Sequence, residues 1–185
     1  MTDVNFKSMI SSVAQDGNRL MKDSTAQSDE IDLPYDLIEL LFFAYREFTG
    51  DPDDVLAEYD FGRAHHRVLH FVDRNPGIMV TDLLGILRIT KQSLGRVLKQ
   101  LVDAEIIEQR EGHHDRRQRL LYTTERGHAL AVDLTKLQQK RLERALIELP
   151  DGSDEIIRKF LLQMIDPDAR ADILKLVRSA YDLSD

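Results

Sequence analysis

Two segments in the middle of the chain have the hydrophobic spacing of short amphipathic helices joined by a tight turn. The first predicted helix covers Thr81 to Leu87, and the second runs from Lys91 to about Asp103. In the second helix an i, i+3, i+4, i+7 pattern defines one buried stripe of Leu94, Val97, Leu98 and Leu101. We expect Thr90 to cap this helix, because a threonine hydroxyl accepts from first-turn amides. The pattern predicts a helix-turn-helix.

A short hairpin is predicted after the second helix. Its strands are expected at Ile106–Arg110 and Leu120–Tyr122. The polar residues between them are His113, His114, Asp115, Arg116, Arg117 and Arg119. A helix that enters a major groove beside a cationic hairpin is a winged helix-turn-helix, which makes DNA binding the leading hypothesis.

Helical segments are predicted on both sides of this centre. After Pro34 an apolar helix is expected to break at Gly50–Asp54, and Asp60 is expected to cap a helix that ends at Arg74. Thr124 is expected to cap a long helix that reaches Leu149. Two shorter helices are predicted to follow, at about Asp154–Ile165 and Asp168–Leu183.

The fold class predicted from these segments is mainly α with a small β-hairpin wing. A winged helix-turn-helix core would be flanked by N- and C-terminal dimerisation helices. The predicted divisions are a polar N-terminal arm (1–33), an N-terminal dimerisation segment (34–60), a DNA-binding domain (61–127) and C-terminal dimerisation helices (128–185).

The terminal helices are too apolar to be covered by a small central domain. One broad apolar helix face consists of Leu37, Ile38, Leu40, Leu41, Phe42, Tyr45 and Phe48. A second copy of the chain is the simplest cover, and a two-fold dimer would place two recognition helices about 34 Å apart on successive major grooves. The alternative is a monomer whose two ends fold back on its own core.

Charge is distributed unevenly along the 185 residues. The formal net charge is −8, which by itself argues against a polyphosphate partner. From Arg88 to Arg119, however, eight basic residues face five acidic ones, whereas eleven acids between Asp29 and Asp60 face only Arg46. An acidic body with a local basic surface favours DNA binding in one orientation.

Composition excludes several classes of protein. Hydrophobic residues make up 42% of the chain, which is typical of a globular protein, and there is no cysteine for disulfides or thiolate metal sites. No apolar run approaches the length that spans a bilayer, and the polar N-terminus lacks a signal-peptide pattern, so we expect a cytoplasmic protein without membrane contact. No phosphate-binding glycine loop or nucleophile motif is present, so we expect neither an enzyme nor a bound cofactor.

The exposed face of the second helix supplies the candidate DNA-reading side chains. They are polar or basic, as base edges and phosphates require, and none is acidic. Together with the capping threonine and the wing arginines, the predicted DNA-binding residues are Thr90, Lys91, Gln92, Ser93, Arg96, Lys99, Arg110, Arg116, Arg117 and Arg119. Gln100 lies on the same face of the helix.

These motifs resemble the MarR family of bacterial transcription regulators. The resemblance covers about residues 36–149 and is strongest over 88–101 and over 115–127, the latter containing an Asp-x-Arg element and a Thr-x-x-Gly helix start. It implies that Lys91, Gln92, Ser93 and Arg96 face the major groove. It also implies that Arg117 enters the minor groove while Asp115 helps to hold the wing in shape.

Three positions depart from the family pattern. Arg88 and Glu105 stand where the family often has glycine, and Thr123 stands where a larger apolar residue is usual. If the first two positions need a positive φ, each would carry about 1 kcal/mol of strain.

The resemblance also implies a small-molecule effector. The predicted pocket residues, suited to an aromatic or acidic ligand, are Phe42, Tyr45, Arg46, His65, His66 and His70. The alternative is that these aromatics belong to a dimer core and that Arg46 pairs with a nearby acid.

Two further hypotheses remain open at this point. His66 and His70 have the i, i+4 spacing of a helical metal-chelating pair, which suggests a metal-responsive regulator. A winged-helix protein-interaction adaptor is the other, although the basic face of the second helix favours DNA. We therefore predict a homodimeric regulator of a pseudo-palindromic operator. Repression is the leading hypothesis for its action, and activation through the same contacts is the alternative.

Overall fold

A computed structural model of the chain describes residues 34–112 and 118–179. The N-terminal arm, 1–33, lies outside the described residues. The chain divides after Ile38, and the fold set out below is that of the unit beginning at Glu39. Its helices are α1 (Tyr35–Ala57, which begins before that division), α2 (Arg63–Arg74), α3 (Val80–Leu87), α4 (Lys91–Asp103), α5 (Glu125–Leu146), α6 (Ser153–Gln163) and α7 (Pro167–Ser179). The strands are β1 (Ile78–Met79), β2 (Ile107–Glu111) and β3 (Arg119–Thr123).

Helix α4 forms as the hydrophobic spacing predicts. Its four stripe residues are buried, with Leu94 and Leu101 fully inaccessible to solvent. They join a core with apolar residues of α2 and α3, namely Val68, Leu69, Val72, Leu83 and Leu87. The predicted cap is also confirmed, because the Thr90 hydroxyl accepts from the amide of Ser93 at 3.1 Å. The helix-turn-helix prediction is therefore confirmed.

The sheet has three antiparallel strands rather than the two of the predicted hairpin. Its order is β1-β3-β2, with Leu121 of the central strand opposite Ile78 on one side and Gln109 on the other. The sequence missed β1 because two residues are too short to show an alternating pattern. Since β1 follows α2 directly, its pairing fixes the wing to the end of that helix.

The predicted break at Gly50–Asp54 is wrong, because α1 continues through Gly50 and Pro52 to Ala57. Proline lacks an N–H and ordinarily interrupts a helix. Here Pro52 and Leu56 are buried. In addition, Arg141 of α5 donates to both carboxylate oxygens of Asp51, at 2.9 Å and 2.8 Å from Nη2. The burial of Pro52 and Leu56, together with the contact between Asp51 and α5, therefore maintains the helix through this segment.

Other predicted helix ends shift by a few residues. Gly62, not Asp60, precedes the first residue of α2, and α5 ends at Leu146 rather than Leu149. Asp60 instead has φ 57° in the connection between α1 and α2. Thr124 caps α5 as predicted, since its hydroxyl accepts from the amide of Gly127 at 3.0 Å.

Two non-glycine residues in the left-handed region flank α4. Arg88 has φ 50° in the turn before α4, and Glu105 has φ 57° just after it. These are the two positions where the sequence departs from the glycine usual in the family. A Cβ in this region costs about 1–2 kcal/mol relative to right-handed backbone. Both turns are therefore strained.

Replacing Glu105 with glycine is expected to stabilise the fold. Glycine adopts positive φ freely, and the gain exceeds the extra flexibility of the unfolded chain, so the free energy of unfolding should rise by about 0.5–1 kcal/mol. Urea unfolding measures the change. Glu105→Ala is the matched control, because it removes the same side chain but keeps the Cβ. An equal gain in both variants would show that backbone strain is not the cause.

Candidate nucleic-acid interface

The exposed face of α4 carries the predicted recognition residues together. Thr90, Lys91, Gln92, Ser93, Arg96 and Lys99 are all exposed. The Thr90 hydroxyl also donates to the hydroxyl of Ser93 at 2.8 Å, which orients both at the first turn. The buried stripe fixes the rotation of the helix, so these side chains project on the side opposite the core.

The bases on this face and on the wing differ in their partners. Lys99 pairs with Asp103 one turn later, Arg110 pairs with Glu108, and Arg119 lies 3.5 Å from Glu111. Within the residues that the structure describes, Lys91 and Arg96 form no ion pair. Among the bases of α4, the two without an acidic partner in the described part of the chain therefore lie in the first half of the helix.

The wing places its two described arginines on opposite faces. Along β2 the side chains alternate, so Arg110 lies on the face away from buried Ile107. There its guanidinium stacks 4.2 Å from the ring centroid of Tyr122. Arg119 pairs across the ladder with Glu111. Predicted site residues Asp115, Arg116 and Arg117, with His113 and His114, lie outside the described residues.

The turn of the helix-turn-helix is braced by a residue that the sequence analysis did not single out. Arg67 of α2 donates from Nη2 to the carbonyl of Leu87 at 3.1 Å, at the end of α3. Arg88 follows directly, and its amide donates to Leu84 O at 2.9 Å. Twenty positions separate Arg67 from Leu87, so no local pattern indicates the contact.

Thr123, the third departure from the family pattern, is part of a polar junction. Its hydroxyl donates to Asp73 Oδ1 at 3.1 Å, and His128 Nδ1 lies 2.8 Å from the same oxygen. The Asp73 carboxylate belongs to α2, and His128 to α5. An apolar side chain at position 123 would therefore leave the Asp73 carboxylate with one hydrogen-bond partner fewer.

Comparison with known proteins identifies the family. A model described as the MarR family matches residues 59–118. The helix-turn-helix transcriptional regulator PetP of Rhodobacter capsulatus is 45% identical over 133 residues, which cover 72% of this chain and 80% of the relative. The chain belongs to the MarR family. It is a helix-turn-helix transcription regulator and not an enzyme.

Solved structures share the fold of this MarR-family chain. A crystal structure of MarR has a TM-score of 0.60 at 20% identity and covers 80% of this chain and 98% of its own. Streptococcus pneumoniae FabT, crystallised in complex with DNA, has a TM-score of 0.63 at 15% identity, covering 70% and 93%. The S. aureus MepR–DNA complex has a TM-score of 0.56 at 18% identity, covering 68% and 93%. The predicted winged-helix fold class is confirmed.

Two of the residues predicted to line an effector pocket have polar partners outside the predicted set. In the described part of the chain, Arg46 Nη2 pairs with Glu47 at 2.7 Å, whereas His65 contacts Gln100 of α4. Phe42 is 69% exposed. Two clefts of this MarR-family chain are lined by other residues, one beside α4 and β2 and another beside α3 and α7. The effector pocket stays a prediction.

The metal hypothesis gains no support from the described residues, which contain no group of three or more potential ligands. Burial lowers the pKa of His66 below its ordinary value, the neighbouring His70 lowers it further, and Asp53 opposes both. Burial also lowers the pKa of His70, with Arg74 adding to the effect and Asp73 opposing it. Burial therefore disfavours the protonated form of both rings. No described helix is long and apolar enough to cross a membrane.

His66 and His70 make the free energy of unfolding depend on pH. Because their pKa values are lowered on folding, the unfolded chain binds more protons, and the free energy of unfolding falls as pH drops below about 6.5. His66→Leu should therefore lose less stability between pH 7 and pH 5 than the wild type does. Urea unfolding at both pH values tests this, and equal losses would contradict it.

Proposed function

We propose that this MarR-family regulator binds a pseudo-palindromic operator as a homodimer, with α4 of each copy in a major groove, and represses transcription by blocking polymerase. The observation that carries the proposal is the uncompensated charge of Lys91 and Arg96 on the exposed face of α4. FabT and MepR, which share the fold, were crystallised with DNA, and this supports the same partner here.

The pattern of ion pairs favours the first half of α4 as the reading surface. A cation that already has an acidic partner must lose that partner, or share it, before it can neutralise a phosphate. Lys99 is in that situation because of Asp103. Arg96 is not, and its planar guanidinium is suited to bidentate contact with guanine or phosphate.

The wing completes the proposed interface. Arg116 and Arg117 are proposed to contact the backbone and the minor groove, where a narrow groove concentrates negative potential. Asp115 is proposed to hold the wing loop in shape. Arg110, in contrast, is held on the outer face of the sheet by Tyr122 and Glu108. We therefore assign Arg110 mainly to the structure of the wing.

Exposed apolar side chains support the homodimer. On α1 they include Leu40, Leu41, Phe42, Phe43 and Tyr45, and towards the C-terminus they include Ile147, Ile156, Phe160, Leu161 and Met164. Apolar patches exposed at both ends of a chain are characteristic of protein–protein interfaces. A second copy offers the same two surfaces, so a two-fold axis would cover both at once.

Arg96→Ala is expected to weaken operator binding by about 1–3 kcal/mol. Lys99→Ala is the matched control, since it removes a base from the same helix that is already paired with an acid, and should have a smaller effect. Fluorescence anisotropy on an operator selected from random DNA, over a series of salt concentrations, measures both. Equal affinities for the wild type and Arg96→Ala would contradict the proposed reading surface.

Phe42→Glu is expected to shift the protein from dimer to monomer and to weaken operator binding, because a carboxylate would be buried without a partner in the dimer. Ala57→Glu places the same charge at an exposed position near the other end of α1 and should leave the mass unchanged. Sedimentation at micromolar concentration measures both variants. A monomeric wild type would refute the homodimer.

A further inference from the structure

A hydrogen-bonded chain leads from the start of α2 to the exposed face of α4. The backbone N–H of Gly62 donates to Nδ1 of His65 at 3.1 Å, and His65 Nε2 lies 3.0 Å from Oε1 of Gln100. The ring of His65 is stacked on Phe61 with centroids 4.6 Å apart and planes inclined by 12°. The imidazole is therefore held at both nitrogens and on one face.

The direction of these hydrogen bonds follows from the chemistry of their ends. A backbone N–H can only donate, so Nδ1 of His65 must be the acceptor and carries no hydrogen. The ring hydrogen is then on Nε2, which donates to Gln100. Gln100 must accept through its oxygen, and its NH₂ group, with two hydrogens, is left for a further acceptor.

The position of Gln100 on α4 places that NH₂ group beside the proposed reading surface. Gln92, Arg96 and Gln100 are four residues apart and form one row along the helix. All three are exposed, and Arg96 has no acidic partner among the described residues. The neighbouring row, in contrast, contains the ion pair between Lys99 and Asp103.

We propose that Gln100 is an additional operator contact, which donates from its amide nitrogen to a phosphate oxygen, and that His65 is the positioning residue that turns this nitrogen outward. The inference rests on the proposed DNA-binding function of α4. Phosphate oxygens accept and never donate, so they match a group that presents only N–H. Without His65 the amide would be free to rotate, and either its oxygen or its nitrogen would face the DNA.

Four variants separate this arrangement from a purely structural role. Gln100→Ala removes the contact, and Gln100→Glu keeps an acceptor for His65 but turns a carboxylate towards the phosphate. His65→Asn retains an acceptor for the Gly62 amide but is too short to reach Gln100. The double variant, His65→Asn with Gln100→Ala, completes a double-mutant cycle that measures the coupling between the two residues. Thermal melting checks that each variant is folded.

Anisotropy titration with an operator selected from random DNA is the measurement. We expect Gln100→Ala to bind about tenfold more weakly, the loss typical of one hydrogen bond to a charged group, and Gln100→Glu more weakly still. The loss should be the same on operators with single base changes, because phosphates carry no sequence. His65→Asn should weaken the wild type but have no further effect once Gln100 is alanine.

Other outcomes overturn the proposal. An effect of His65→Asn that persists in the Gln100→Ala background would mean that His65 acts through the fold alone. A loss confined to certain base changes would make Gln100 a base-reading residue rather than a phosphate contact. If Arg96→Ala weakens binding and Gln100→Ala does not, this inference fails while the proposed function stands. If Arg96→Ala also has no effect, the proposed reading surface itself fails.

Discussion

The burial of the α4 stripe against α2 and α3 is the constraint on which the rest of the molecule depends. Leu94 and Leu101 are completely enclosed, and rotating α4 would expose them at a cost of about 1.5–3 kcal/mol for each side chain. The same burial fixes which side chains face outward. The turn before α4 is held by Arg67, and the turn between α4 and β2 contains a strained residue, Glu105. The packing of α4 on α2 and α3 therefore fixes which of its faces is exposed, and that face is polar.

Electrostatics then distinguish this face from the rest of an acidic chain. Some bases elsewhere have acidic partners, as in the contact of Arg141 with Asp51 and that of Arg63 with Asp53. Those pairs stabilise the body and cancel its positive charge locally. Lys91 and Arg96 have no such partner among the described residues. A net charge of −8 is thus compatible with DNA binding, because repulsion from the body restricts approach to one orientation.

Those features of the fold that depend on residues close together in the chain were predictable from the sequence. Helix α4, its cap at Thr90 and the cap of α5 at Thr124 follow from hydrophobic spacing and from side-chain chemistry within a few residues. Contacts between distant positions were not predictable. The continuation of α1 through Pro52 depends on packing and on Arg141, and the hydrogen bond of His65 to Gln100 joins residues 35 positions apart. The roles of Asp115, Arg116 and Arg117, which lie outside the described residues, stay predictions from the sequence.

The most direct test of the account is a selection of DNA from a random pool by the full-length protein. The account predicts an inverted repeat whose half-site centres are about 10–10.5 base pairs apart, because two copies of α4 would enter successive major grooves on one side of the duplex. Enrichment of a single, unrepeated site, or of no sequence at all, would contradict a dimer that reads DNA through α4.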